Sequence, residues 1–259
     1  MPGDDLALIE TAVREAGAVA LRHWRRNPRV WEKPGGAGPV SEADLAVDAL
    51  LSARLRGARP GYGWLSEESA QAAAVCDAGF IVDPIDGTRA FLDGQDGFAV
   101  SVAVMRDGRI TEAAVFLPAR ETLYSATADG IARMNGAPLA ASRARGEAGA
   151  EVLATRPSMD PEHWPGGVPR VRRSFRPSLA WRLCLVGEGR FDGMLTMRDA
   201  WEWDIAAASL IAERAGARVT DRDGRPLRFG AEGLRAPGVI AAAPGLHEAL
   251  IARRRGTTG

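Results

Sequence analysis

The chain of 259 residues has little of what marks several common classes of protein. Two cysteines are too few for a disulfide framework, and they favour a reducing compartment, the cytoplasm. Three histidines are scattered along the chain without metal-ligand spacing, which argues against a zinc site. Basic and acidic residues number 33 each, so the formal net charge is zero and a surface for polymeric nucleic acid is not expected.

Long apolar runs are also missing. No stretch of about 18 apolar residues occurs, and no basic segment followed by an apolar one opens the chain, so we expect neither a membrane span nor a signal peptide. The length suffices for one large or two ordinary domains. A shift toward Ala, Arg, Gly and Glu near residues 140–150 predicts a boundary between an N-terminal α+β domain over 1–142 and a C-terminal α/β domain over 143–259.

Periodic apolar residues predict both helices and strands. Helical spacing covers residues 6–24, 179–188 and 204–215, and Ser41 is the predicted N-cap of a helix that ends near residue 56. Apolar runs and alternation predict strands at residues 80–82, 98–105, 112–116, 122–126, 152–155, 191–196 and 239–242. The chain therefore mixes helices and strands along most of its length.

The most informative segment is Asp-Pro-Ile-Asp-Gly-Thr at residues 83–88, which follows an apolar strand. Residues just beyond the end of such a strand are where α/β proteins place their chemistry. Asp83 and Asp86 supply the anionic oxygen that Mg²⁺ takes, and Gly87 allows the backbone to approach a ligand. Thr88 offers a hydroxyl and an N–H at a predicted helix start, where anions bind. The alternative is an ordinary strand-to-turn junction, since Asp, Pro and Gly are common in turns.

A different class of phosphatase, the haloacid dehalogenase type, carries an Asp-x-Asp-Gly-Thr motif and passes through a phosphoaspartyl intermediate. Here Asp83 and Asp86 are three positions apart rather than two. That class also needs a lysine downstream of the motif, and Lys33, the only lysine of this chain, lies upstream. The spacing therefore favours metal-activated water over covalent catalysis by Asp83.

Five further acidic positions are candidates, each with a structural alternative. Glu67 and Glu68 would point to opposite faces if their segment is extended, so that one is a ligand and the other a support or a solvated acid. Asp44 fits a capping box, which is a sufficient structural explanation. Asp48, one helical turn later, is interpreted as a surface residue, and Asp204 could simply cap the helix that follows it.

Taken in order, these positions match a known pattern. Lys33, Asp44, the Glu-Glu pair at 67–68, residues 83–88 and the Trp-Asp-Ile-Ala-Ala-Ala segment at 203–208 resemble the inositol monophosphatase superfamily of Mg²⁺-dependent, lithium-sensitive phosphatases. The resemblance spans nearly the whole chain and implies an α/β fold, a layered αβαβα sandwich in two parts. It also implies two or three Mg²⁺ ions and a small phosphorylated substrate. We expect a monomer or a homodimer.

The resemblance implies a role for each position. Asp44 and Thr88 would position and activate the attacking water, and Gly87 with Thr88 would bind phosphate through the backbone. Lys33 would supply an ammonium near metal or phosphate, unless its retention is chance. Glu68 would support the site. The implied metal ligands are Glu67, which also acts on the nucleophile side, Asp83, the carbonyl of Ile85, Asp86 and, in the C-terminal domain, Asp204.

Within the superfamily, the segments 64–68, 184–189 and 202–204 look most like the CysQ-type 3'(2'),5'-bisphosphate nucleotidases. That likeness implies adenosine 3',5'-bisphosphate as the substrate, with Arg182 on its second phosphate, unless Arg182 is a surface arginine. Inositol-1-monophosphatase is the alternative, although Met197 stands about where the inositol enzymes have a glutamate. Histidinol phosphate and fructose bisphosphate stay open as substrates, as does a metal-binding protein of this fold without turnover.

Overall fold

The computed structural model describes residues 2–33, 38–69, 78–230 and 233–257; Cys76 lies outside these ranges. The helices are α1 (Pro2–His23), α2 (Glu42–Ala58), α3 (Thr88–Leu92), α4 (Leu179–Gly187), α5 (Glu202–Arg214) and α6 (Pro244–Arg255), with 3-10 turns at Pro118–Arg120, Pro157–Met159 and Pro161–His163. The strands are β1 (Val30–Glu32), β2 (Pro39–Ser41), β3 (Gly63–Ser66), β4 (Ala78–Asp86), β5 (Ala99–Arg106), β6 (Arg109–Leu117), β7 (Thr122–Thr127), β8 (Arg133–Met134), β9 (Ala137–Pro138), β10 (Glu151–Ala154), β11 (Arg172–Ser174), β12 (Gly193–Thr196), β13 (Ala200–Trp201), β14 (Arg218–Thr220), β15 (Arg235–Ala236) and β16 (Val239–Ala242).

The larger sheet orders its strands β3-β4-β5-β6-β7-β8-β9. The β3–β4 pair is parallel, and the other neighbours are antiparallel. Helices α1 and α2 cover one face of this sheet. They do so because apolar side chains recur at helical spacing, which gives each helix one buried stripe. In α1 that stripe contains Ile9, Val13, Ala16 and Ala20.

The second sheet orders its strands β11-β10-β12-β16-β14. Strand β10 runs parallel to β11 and β12, whereas β16 runs antiparallel to β12 and β14. Helix α6 covers the outer face of this sheet, where Leu246 and Leu250 pack in one cluster with Leu195 and Ile240. This sheet therefore has its own helix layer on the side remote from the larger sheet.

Helices α4 and α5 fill the space between the two sheets. Every residue of α4 is buried, and so is α5 from Glu202 to Ala212 with the exception of Asp204. A helix buried around its whole circumference needs packing partners on all sides. Both helices contact strands of both sheets and share one apolar cluster with them. The layers therefore follow the order α, β, α, β, α, which confirms the predicted fold class.

The division of the chain at residue 142 stays a prediction. The larger sheet takes its strands from residues 63–138 and the second sheet from residues 151–242, and the two share the central helix layer.

None of the described helices is both long enough and apolar enough to span a membrane.

The strand that carries the 83–88 motif is longer than predicted. Strand β4 continues to Asp86, whereas the prediction ended it at residue 82. Its pairing with β5 shifts register between Asp83 and Asp86, which makes a β-bulge around Pro84. Proline lacks the N–H that a regular ladder uses, and the bulge lets the strand continue past it. Asp83 and Asp86 therefore lie on a rigid strand end rather than in a turn.

Candidate active site

The strand-to-helix junction at Gly87 fixes the geometry of the motif. Gly87 has a φ of 95° and a ψ of 37°, a left-handed conformation that favours glycine. A Cβ atom there would also lie 3.2 Å from the carbonyl oxygen of Gly97 and 3.4 Å from the Cβ of Ser178. Both the backbone conformation and the close neighbours therefore require glycine. The chain turns at this point into α3, which begins at Thr88.

Three carboxylates converge beside this junction. Asp83 and Asp86 come from β4 and Asp204 from the first turn of α5, and each offers an oxygen that lies within 4.8 Å of the other two. Burial raises the pKa of all three, and the neighbouring carboxylates raise the pKa of Asp83 and Asp204 further. Buried like charges at this spacing are stable only when a cation or a proton compensates them. The arrangement could therefore hold a metal ion.

The hydrogen bonds of the carboxylates support the same conclusion. Oδ1 of Asp83 is buried and has no hydrogen-bond partner in the described part of the chain. Oδ2 of Asp86 accepts from Ser178 Oγ at 2.7 Å and from the backbone N–H of Ala180 at 2.6 Å. A buried, unpartnered carboxylate oxygen is costly unless a ligand pairs with it. The residues present therefore fit a hard cation such as Mg²⁺, which takes oxygen ligands.

The position of Asp204 corrects one alternative. Helix α5 begins at Glu202, and its N-cap residue is Trp201, which makes no side-chain cap. Asp204 lies inside the first turn and is therefore not the N-cap residue, although a hydrogen bond from the backbone of Trp201 partly offsets the rise in the pKa of Asp204. The helix begins two residues earlier than predicted, after the extended residue Trp201, and its first two residues, Glu202 and Trp203, are buried in the middle layer.

Glu67 and Glu68 lie together rather than on opposite faces. Strand β3 ends at Ser66, so the pair sits in a bend and not in an extended segment. The ammonium of Lys33 lies 2.6 Å from Glu67 Oε1 and 2.7 Å from Glu68 Oε1. The side chain of Glu68 is only 6% exposed, which rules out a freely solvated acidic pair. Burial raises the pKa of Glu68 to about 7, although the charge of Lys33 opposes this rise. At Lys33 burial lowers the pKa, but the two glutamates outweigh burial, so the pKa of Lys33 is raised.

Asp44 and Thr88 are in contact, as their implied roles require. Thr88 Oγ1 lies 3.2 Å from Asp44 Oδ1 and 3.1 Å from the carbonyl oxygen of Ile85. The other oxygen of Asp44, Oδ2, accepts from the backbone N–H and the hydroxyl of Ser41 at 2.8 and 2.5 Å. The predicted capping box is therefore present. It holds one oxygen of Asp44 and leaves the other directed at Thr88, and burial raises the pKa of Asp44.

Asp48 is not the surface residue that the sequence predicts. Its Oδ1 accepts from Ser66 Oγ at 2.5 Å, and its Oδ2 accepts from Ser69 Oγ at 3.0 Å. Ser69 Oγ in turn accepts from the indole N–H of Trp64 at 2.9 Å. The two serines flank the Glu67–Glu68 bend, so Asp48 ties both ends of the bend to α2. Asp48 lies four positions after Asp44, so both side chains are on the same face of α2. This spacing is the feature of the sequence that could have predicted a role for Asp48 near the site.

Arg182 and Met197 are both buried. Arg182 is 8% exposed, so its interpretation as a surface arginine is wrong, because α4 lies between the two sheets. Its Nε donates to the carbonyl of Arg176 at 2.5 Å. Met197 is 2% exposed and packs in the apolar cluster under α6. The roles assigned to the site residues stay predictions, although the structure brings the acidic positions together.

Sequence comparisons identify similar proteins. A family model described as the inositol monophosphatase family matches residues 4–258. An inositol-1-monophosphatase of Rhizobium meliloti (strain 1021) is 37% identical over 240 residues, which cover 87% of this chain and 89% of that protein. The Nus factor SuhB of Escherichia coli (strain K12) is 28% identical over 260 residues, which cover 96% of this chain and 95% of that protein.

Solved structures are also similar along almost the whole chain. The IMPase of Thermotoga maritima superposes with a TM-score of 0.85 at 25% identity, covering 98% of both chains. The extragenic suppressor protein SuhB of Bartonella henselae superposes with a TM-score of 0.84 at 27% identity, again over 98% of both chains. The likeness therefore extends through all five layers.

We expect Asp83→Asn to abolish Mg²⁺ binding and to stabilise the metal-free protein. The neutral amide cannot hold a cation among the carboxylates, and it removes one buried charge from them. In EDTA at pH 7 the free energy of unfolding should rise, because burial and the neighbouring carboxylates disfavour a charge at this position. Thermal unfolding with and without Mg²⁺ measures both effects. The exposed Asp129 provides a control, Asp129→Asn, which should keep the Mg²⁺-dependent rise in Tm. A Mg²⁺-dependent rise in Tm that persists in Asp83→Asn would contradict the role of Asp83 as a metal ligand.

We expect Asp48→Asn to weaken Mg²⁺ binding by about tenfold or more, as is usual when a hydrogen-bonded support of a ligand is lost. An amide cannot accept from both serines, so the Glu67–Glu68 bend would no longer be held to α2. Calorimetric titration with Mg²⁺ measures the change. Ser66→Ala removes one of the two contacts of Asp48 and should weaken Mg²⁺ binding in the same direction. The double variant should lose less affinity than the sum of the two single losses, because both substitutions affect the Asp48–Ser66 contact. Unchanged Mg²⁺ affinity in Asp48→Asn would show that Asp48 is only structural.

Proposed function

This chain belongs to the inositol monophosphatase family and is a phosphoric monoester hydrolase, and on that premise we propose that it hydrolyses a small phosphorylated metabolite with Mg²⁺ and water. One observation carries the proposal. Oxygens of Asp83, Asp86 and Asp204 converge within 4.8 Å, while Asp83 Oδ1 is buried without a hydrogen bond in the described residues. Hard oxygen ligands suit Mg²⁺ better than softer metals. We propose that Glu67 and the carbonyl of Ile85 complete the ligand set, for two or three ions.

The proton of the attacking water has an acceptor in the chain itself. When bound, Mg²⁺ would neutralise charge on the phosphate and make water more acidic. Thr88 Oγ1 lies within 3.2 Å of Asp44 Oδ1, so a proton can pass from water through the hydroxyl to the carboxylate. The raised pKa of Asp44 brings that carboxylate nearer to the range of a useful base. Asp83 need not act as a nucleophile.

The backbone at Gly87 and Thr88 is the proposed phosphate contact. Gly87 has no side chain to cover its N–H, and its left-handed conformation turns the chain into α3.

Lys33 contacts Glu67 and Glu68 directly. We therefore propose that Lys33 supports the acidic bend by holding Glu67 beside the metals, with Glu68 as its second anchor.

Two substrates that differ in their leaving group are candidates. Inositol 1-phosphate is supported by the similar protein of Rhizobium meliloti, which is named an inositol-1-monophosphatase. Met197 weakens that candidate, since a buried thioether offers no carboxylate to sugar hydroxyls. Adenosine 3',5'-bisphosphate is supported by Arg182, which lies one helical turn from Ser178, a direct contact of Asp86. Both candidates are phosphate monoesters, so the chemistry proposed above is the same for both.

A phosphate-release panel tests the proposed function. The substrates are inositol 1-phosphate, adenosine 3',5'-bisphosphate, histidinol phosphate and fructose 1,6-bisphosphate, each with Mg²⁺ and with EDTA. We expect Mg²⁺-dependent release from at least one of them and none in EDTA. Failure with every substrate, in protein that calorimetry shows to bind Mg²⁺, would favour a metal-binding protein without turnover.

We expect Thr88→Ala to lower kcat by on the order of a hundredfold, because it removes the hydroxyl that passes the proton to Asp44. The Mg²⁺ concentration for half-maximal activity should stay near that of the wild type. The matched variant Thr88→Ser keeps the hydroxyl and should lose much less. Recovery of Thr88→Ala in excess Mg²⁺ would instead assign Thr88 to metal binding.

A further inference from the structure

Helix α3 is too short to fix its own orientation. It has five residues, Thr88–Leu92, and so makes little more than one turn. Helices of this length are not stable in isolation and depend on contacts with the rest of the fold. The first residue, Thr88, and the preceding Gly87 form the proposed phosphate contact. Any contact that positions α3 therefore also positions the backbone that would bind phosphate.

Two residues that follow α3 close its C-terminal end. The backbone N–H of Gly94 donates to the carbonyl of Phe91 at 3.0 Å, and the backbone N–H of Gln95 donates to the carbonyl of Ala90 at 2.8 Å. The N–H of Phe91 in turn donates to the carbonyl of Gly87 at 3.0 Å. Backbone hydrogen bonds therefore connect this short segment through α3 to Gly87.

The end of α1 binds the carbonyls of the same two residues. Nε of Arg25 donates to the Gly94 carbonyl at 3.0 Å, and Nε1 of Trp24 donates to the Gln95 carbonyl at 3.1 Å. The guanidinium of Arg25 lies 4.1 Å from the ring centre of Trp24, so the two side chains also contact each other. The carbonyl of Gly94 and the N–H of Gln95 belong to one peptide group. Arg25 therefore binds the peptide group that closes α3.

Arg25 has an unfavourable backbone conformation. Its φ of 59° lies in the left-handed region, which favours glycine over arginine. Its side chain is exposed, so burial of apolar surface does not explain the conformation. Strain of this kind persists where surrounding contacts over-determine the backbone, and the side chain of Arg25 supplies such contacts to Gly94 and Trp24. The strained backbone therefore places the guanidinium on the segment that holds α3.

We propose that Trp24 and Arg25 are positioning residues that hold α3 and thereby orient the backbone of Gly87 and Thr88 toward phosphate. This inference rests on the proposed phosphomonoesterase function and adds two residues that lie outside the acidic site. The metal-binding carboxylates come from β4 and α5, so Mg²⁺ binding does not depend on this contact. The hydroxyl of Thr88 has its own partners, so proton transfer should depend on the contact less than phosphate affinity does.

The experiment measures orthophosphate affinity by calorimetry in saturating Mg²⁺, together with kcat and KM for the most active substrate of the panel. Arg25→Gly removes the side chain and relieves the backbone strain. Trp24→Phe removes the N–H donor and keeps an aromatic ring beside Phe98. Each variant should weaken phosphate binding and raise KM by roughly three- to tenfold, the range expected for one lost hydrogen bond. The kcat, the Mg²⁺ affinity and the Tm of Arg25→Gly should stay near the wild-type values.

Matched variants separate positioning from charge and from folding. Arg25→Lys keeps a cationic donor and should retain most of the phosphate affinity. The side chain of Arg26 is exposed and has no hydrogen bond or salt bridge among the described residues, so Arg26→Ala should bind phosphate like the wild type.

Three results would contradict these expectations. Unchanged phosphate affinity in both Arg25→Gly and Trp24→Phe would overturn the positioning role and leave the phosphatase proposal standing. Equal losses of phosphate and Mg²⁺ affinity would also overturn it, because they indicate a general loosening of the fold. A wild-type protein that neither binds phosphate nor turns over any substrate would overturn the phosphatase proposal itself.

Discussion

Electrostatic repulsion between buried carboxylates is the constraint on which the site depends. Asp83 and Asp86 are fixed by β4 and Asp204 by α5, so their convergence requires the larger sheet and the middle helix layer to be in contact. The apolar packing of α5 between the sheets holds these charges together against their repulsion. Such a site costs stability when empty and gains it when a cation binds, because binding to the folded state alone stabilises that state.

Helix α2 connects two parts of this site. Asp44 contacts Thr88, and Asp48, one turn later on the same face, holds the serines that flank Glu67 and Glu68. A single rigid helix therefore sets the distance between the proton-accepting pair and the acidic bend. The capping box that starts the helix uses one oxygen of Asp44 and leaves the other for Thr88. The structural and the functional explanation of Asp44 are therefore compatible, although the sequence presents them as alternatives.

Local sequence patterns predict most of the frame, because the periodicity of α1, α2 and the antiparallel strands reflects which face each element buries. They fail where burial depends on distant partners. Pro84 suggests a strand end, but the bulge that continues β4 depends on pairing with β5. Arg182 and Asp48 look like ordinary surface charges until α4 is enclosed by two sheets and the serines after β3 reach α2. Glu67 and Glu68 share Lys33 because the chain bends after Ser66, which alternation along a strand cannot predict.

Ser178 links the carboxylates of the site to helix α4. Its hydroxyl donates to Asp86 and accepts from the backbone N–H of Trp181, so one side chain both caps α4 and contacts a proposed metal ligand. Ser178 has a φ of 60° and a ψ of 117°, a conformation that is strained for a residue other than glycine. Strain of this kind persists when surrounding contacts over-determine the backbone, and these two hydrogen bonds do so. Because α4 also carries Arg182 one turn later, the position of the buried guanidinium is coupled to that of Asp86. A shift of α4 would therefore displace Asp86 and Arg182 together.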